Sequence, residues 1–165
     1  MTLVLYSTIL YKKEVELLIE QTNGGFLISK IKQIQGRIFE KILIEYGIDQ
    51  FNGAQGRILF VLWEHDNIPI TELSHKTGLA KTTLTSMLDR LEGSGHIQRV
   101  YNPDDRRTVR IRLTETAKGL KDQYNQASEK MNEIFYEGFS NEEILAFDKS
   151  LEKVLNNLTR QEHYK

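Results

Sequence analysis

Two groups of side chains in this chain can do recognition chemistry, and they lie close together in the sequence. The first is the run Asp104-Asp105-Arg106-Arg107. A guanidinium is a planar fork of donors that pairs bidentately with a carboxylate or a phosphate, and it keeps its charge at any physiological pH. The second is the set Lys81, Thr82, Thr83, Thr85, Ser86 and Arg90. Hydroxyls donate to or accept from polar edges and phosphate oxygens, and lysine adds a point charge. Alone, either group also fits a solvated surface, where ion pairs are worth little. Threonine is a mediocre helix former, however, and a purely structural surface would favour Glu, Lys or Ala.

Nothing comparable points to catalysis. There is no cysteine, hence no disulfide, no thiol nucleophile and no Cys-ligated zinc. The chain lacks a phosphate-cradling glycine loop and a zinc-hydrolase motif. His65, His75, His96 and His163 are scattered, with no i,i+4 pair, and His65 beside Glu64 and Asp66 would need further ligands from elsewhere in the fold. The expectation is no enzyme, no cofactor and no metal. Absence of cysteine fits a reducing cytoplasm, and no apolar run is long enough to cross a bilayer.

The elements that must carry these groups follow from periodicity and punctuation. Val109, Ile111 and Leu113 alternate with Arg110 and Arg112, so Ile97–Thr114 reads as two short strands with one apolar and one basic face. Asn102-Pro103 and the charged run form the tip between them. Upstream, Thr71–Leu91 has helix-turn-helix form: a short helix over Thr71–Thr77, a turn at Gly78, and a second helix from about Ala80 to Glu92. On that second helix Leu84, Leu88 and Leu91 share a core face with Met87 at its edge. Thr82, Thr85, Ser86 and Asp89 fall opposite. A hairpin directly behind a helix-turn-helix makes a winged helix. Its second helix suits a major groove, and an arginine at the wing tip suits a narrow minor groove.

Helices flank this unit on both sides. Phe26–Tyr46 has a broad apolar stripe ended by Gly47. Asn52 and Gln55 form a capping box for a helix through Trp63 that buries Ile58, Leu59 and Leu62. Asn67–Ile70 reads as a brief extended link. Thr114 caps one long helix through Phe135 or beyond. Ser140 and Glu143 box the last helix, with Ile144, Phe147, Leu151, Val154, Leu155 and Leu158 at three- and four-residue spacing.

The fold class is therefore mainly α with a small β-hairpin, a winged helix-turn-helix flanked by N- and C-terminal helices. The expected boundaries are 1–50 (arm and first helix), 51–114 (winged helix) and 115–165 (terminal helices). Net charge is −1. His75–Lys118 nevertheless holds nine basic and five acidic residues, while the flanks on both sides are net acidic. Positive charge gathered on one module is the footprint of a nucleic-acid reader.

The chain resembles the multiple-antibiotic-resistance regulator (MarR) family of bacterial transcription factors. The resemblance rests on an ordered set: Gln55–Leu62, Glu72-Leu73, Gly78-Leu79, Leu88-Asp89-Arg90-Leu91-Glu92, Gly95-His96-Ile97-Gln98-Arg99, and Asn102–Arg107 followed by Leu113-Thr114. It spans residues 51–120, and the flanks match in pattern only. It implies a dimeric regulator of double-stranded DNA, a repressor relieved by a ligand, on a pseudo-palindromic operator. The family's wing motif, Asp-x-Arg followed six residues later by Leu-Thr, registers on Asp105 and Arg107. Arg107 would then enter the groove with Asp105 as its partner, and Arg106 and Arg110 would flank. Where the family often has glycine, this chain has Ala117. The terminal helices would intertwine with a second copy, and the apolar stretch Leu3–Tyr11 precedes the family's usual start. A small anionic or aromatic effector would sit near Phe39, Leu43, Arg57, Phe60, Trp63 and Tyr124, although each of these also suits a plain core. The competing class is a winged-helix protein-interaction module without DNA binding, which calls for an apolar or acidic recognition face.

Overall fold

In the computed structural model, residues 22–101 and 108–162 are described. The chain divides into two units, Met1–Arg37 and Ile38–Lys165. Helix α1 covers Gly24–Glu45 and α2 covers Gly53–Glu64. After them come strand β1 (Ile68–Pro69), helices α3 (Ile70–Thr77) and α4 (Lys81–Gly93), and strands β2 (Ile97–Tyr101) and β3 (Val109–Leu113). The chain ends in α5 (Glu115–Gly119), α6 (Lys121–Phe135) and α7 (Asn141–Glu162).

The predicted caps form. Asn52 Oδ1 accepts the Gln55 N–H at 2.9 Å, and Gln55 Oε1 accepts the Asn52 N–H at 3.1 Å, so two otherwise orphaned donors at the start of α2 are satisfied. Ser140 and Glu143 repeat the exchange at the start of α7, at 3.3 and 2.8 Å.

The core of the second unit lies where α2, α3, α4 and the sheet converge. Ile58, Leu59, Leu62, Leu73, Leu84, Leu88, Leu91 and Ile111 are fully buried, with Ile97 and Leu113 beside them. Burying such side chains is worth roughly 1.5–3 kcal/mol each, and it fixes which faces of α4 and of the sheet remain outside.

Two features depart from the expectation. The extended link pairs into the sheet, with Ile68 opposite Ile111 and Pro69 opposite Arg110, giving the antiparallel order β1-β3-β2 rather than two strands alone. Proline lacks the N–H of an interior strand and is tolerated on this edge. The single long helix from Thr114 is instead two, broken at Leu120. The Ala117 carbonyl, which an unbroken helix would pair with the Lys121 N–H, accepts the Trp63 indole N–H at 2.8 Å. Gly119 weakens the helix at the same place.

Candidate nucleic-acid interface

The turn between α3 and α4 is held from inside. Gly78 caps α3 at φ 65°, in the left-handed region that glycine enters without a Cβ penalty. Ser74 Oγ donates to the Leu79 carbonyl at 2.8 Å, and Thr77 Oγ1 donates to the Leu73 carbonyl at 2.7 Å. These bonds set the angle at which α4 leaves the turn.

Burial then sorts the side chains of α4 as its periodicity predicts. Leu84, Leu88 and Leu91 are at 0% exposure. Met87 is half-buried and packs on the core. Lys81, Thr82, Thr83, Thr85, Ser86, Asp89 and Arg90 are all exposed. The Thr85 hydroxyl donates to the Lys81 carbonyl at 2.9 Å, which leaves its lone pairs outward as acceptors. Arg90 sits in the last turn, a helical position that favours a cation.

β2 and β3 pair antiparallel from Ile97 opposite Leu113 to Tyr101 opposite Val109. Arg110 and Arg112 lie on the outer face, as alternation predicts, with Arg112 exposed and Arg110 half-buried. Asp105, Arg106 and Arg107 fall in residues 102–107, outside the described residues, as do Leu3–Tyr11. The far end of β3 is tied down by Asp66, whose Oδ1 accepts the Leu113 and Asn67 N–H groups at 2.8 and 2.7 Å.

Helix and wing meet at a short junction. Gly95, at φ 74°, lets the His96 N–H reach the Leu91 carbonyl at 2.8 Å. The His96 ring is buried, its Nδ1 sits 2.8 Å from Ser94 Oγ, its edge meets Phe51, and its Nε2 has no partner. Burial lowers its pKa below the ordinary histidine value, so the neutral ring belongs to the fold. One residue of the Gly95–Arg99 segment makes contacts that its sequence pattern does not reveal. Arg99, on β2, pairs with Asp89 and with Glu92 of α4. Burial works against its charge, but the hydrogen bonds and fields of the two carboxylates override it and hold the pKa above the ordinary arginine value.

The residues named for an effector separate into two kinds. Tyr124 is buried, with the rings of Trp63, Phe39 and Phe60 at centroid distances of 4.9, 5.7 and 6.4 Å. Desolvation pushes its phenol up to about 12, against a smaller opposing field from Arg57. Leu43 belongs to the core, whereas Arg57 and Phe60 are exposed. Among the described residues no cluster of His, Asp or Glu could hold a metal, and no helix is long and apolar enough to cross a membrane.

Known proteins place this arrangement. The MarR family model matches residues 51–109. An HTH-type transcriptional regulator of Bacillus subtilis, YsmB, itself uncharacterized, is 36% identical over 137 residues, spanning 81% of this chain and 88% of its own. The chain belongs to the MarR family. A mutant of Escherichia coli MarR, solved with operator DNA, superposes at TM-score 0.72 with 27% identity, over 79% of this chain and 92% of that one. Reduced AbfR bound to DNA superposes at TM-score 0.67 with 25% identity, over 90% of this chain and 98% of that one. This MarR-family chain is thus a winged helix-turn-helix regulator in fold and kinship.

Proposed function

We propose that the protein is a dimeric transcriptional repressor that binds a pseudo-palindromic DNA operator and is released from it by a small ligand. The observation that carries the DNA reading is the outward face of α4. It bears Lys81 at its start, then Thr82, Thr85 and Ser86, all exposed, while its leucines are wholly buried. That face is neither apolar nor dominated by acid, as a protein-docking helix would need. Its relatives carry regulator names, and two structural neighbours were solved with DNA. The role read from them involves no catalysis.

Hydroxyls and Lys81 would meet base edges and phosphates of the major groove, with Arg90 on the backbone. The wing would add Arg107, set by Asp105, with Arg106 and Arg110 on flanking phosphates. Dimerisation is supported by α7, 22 residues long with no buried residue. Its Val154, Leu155 and Leu158 are between 42 and 64% exposed. An amphipathic helix of that kind needs an apolar partner. Two-fold symmetry would then space two recognition helices about 34 Å apart. For the effector, Arg57 and Phe60 are the exposed pair beside Tyr124, and they suit an aromatic anion.

Selection of a binding site from random duplex DNA, followed by anisotropy titration, tests the reading. The expected result is a palindromic site bound in about the nanomolar range, weakening steeply with salt. Ser86→Ala and Arg107→Ala should each lose affinity with the fold intact. Failure to enrich any duplex sinks the reading.

A further inference from the structure

Arg99 breaks the pattern of its strand. The register places it opposite Ile111, on the sheet face that carries Ile97 and Leu113 into the core. A cation on that face is costly unless it is paired. Its side chain is 16% exposed, and α4 supplies both partners. One guanidinium nitrogen lies 2.6 Å from Asp89 Oδ1, the other donates to Glu92 Oε2, and Glu92 Oε1 accepts the Arg99 backbone N–H at 3.0 Å. Three hydrogen bonds from one residue of the wing strand therefore land on two residues of α4, one helical turn apart.

Asp89 has a second property. It lies in register with Thr82, Thr85 and Ser86 on the outward face and is 62% exposed. A free carboxylate there would repel phosphates, or would accept from a cytosine amine. Paired with Arg99 through Oδ1, its charge is offset at the junction.

We propose that Arg99 is a positioning residue for DNA recognition: it clamps strand β2 to the C-terminal half of α4 and neutralises Asp89, so that helix and wing meet the duplex as one rigid reader. This rests on the DNA-binding reading above. Arg99 does not touch the DNA. Its effect comes from two contacts presented in a set geometry, which lowers the ordering cost of binding.

The test uses the full chain and the duplex that the parent itself selects. Arg99→Met keeps the packing of the apolar stem and removes the fork. Affinity for the selected site should fall about tenfold. Footprinting should show the flanking, wing-side protection lost and the central major-groove protection retained. Adding Asp89→Asn should recover part of the affinity, because the exposed carboxylate is then gone. A role in stability alone would not separate the two protections. If they fade together, tracking a lowered Tm, or if Arg99→Met binds like the parent, the clamp is refuted. Should Arg99→Met fail to fold, Glu92→Gln decides by the same footprint, since its amide oxygen can still take the Arg99 N–H. A parent that selects no duplex overturns the DNA reading and the clamp with it. A parent that binds while its variants match it overturns the clamp alone.

Discussion

Gly56→Ala should destabilise the protein, although alanine is the better helix former. Gly56 is buried inside α2, where exchanging glycine for alanine ordinarily gains about 1 kcal/mol. Here an added Cβ would stand 2.7 Å from Tyr124 Cε2, 3.1 Å from its Oη and 3.2 Å from its Cζ. The ring has no easy retreat, because Phe39, Phe51, Phe60 and Trp63 surround it. Overpacking of that kind costs about 1–3 kcal/mol and has to exceed the propensity gain. The expected net loss is up to about 2 kcal/mol, read as a Tm lower by up to about 8 °C at matched protein concentration. The decisive measurement is a double-mutant cycle. In a Tyr124→Leu background the clash is relieved, and Gly56→Ala should turn from destabilising to stabilising, a coupling of about 2 kcal/mol. A stabilised single variant, or an equal loss in both backgrounds, would refute the reasoning.

Three further outcomes are expected. His96 is neutral in the fold with its pKa lowered by burial, so below about pH 6.5 the unfolded chain takes up a proton that the native chain refuses. Stability should fall with acidification through that window by up to about 1.4 kcal/mol per pH unit, and chemical denaturation of His96→Gln should show a shallower slope. Asn52→Ala removes an acceptor from the α2 capping box and should cost about 1 kcal/mol, measurable as a lower denaturation midpoint with unchanged m. Leu155→Glu with Leu158→Glu, both on the exposed stripe of α7, should convert a dimer into a monomer by light scattering while the monomer keeps its helical circular dichroism. An unchanged mass would sink the assignment of that stripe.

Much of the fold was legible because its signals are local. The leucines of α4 recur at helical spacing, Asn52 with Gln55 and Ser140 with Glu143 spell out caps, and Gly78 and Gly95 stop helices where a left-handed residue is required. The outward set on α4 could be named for the same reason, since one buried face of a helix dictates the other. Side-chain types, their spacing and the local charge of His75–Lys118 thus determined by themselves that this is a winged helix whose second helix turns a hydroxyl-bearing face outward. What the tertiary structure alone decided involves partners far apart along the chain. Trp63 takes the Ala117 carbonyl 54 residues away and splits the predicted long helix. Ile68-Pro69 becomes a strand only because β3 lies beside it. Arg99 reads as one more surface cation until the register turns it inward against Asp89 and Glu92. Periodicity tells which face of an element is buried, but which neighbour meets that face is set by packing between elements, and a short-range pattern does not encode it.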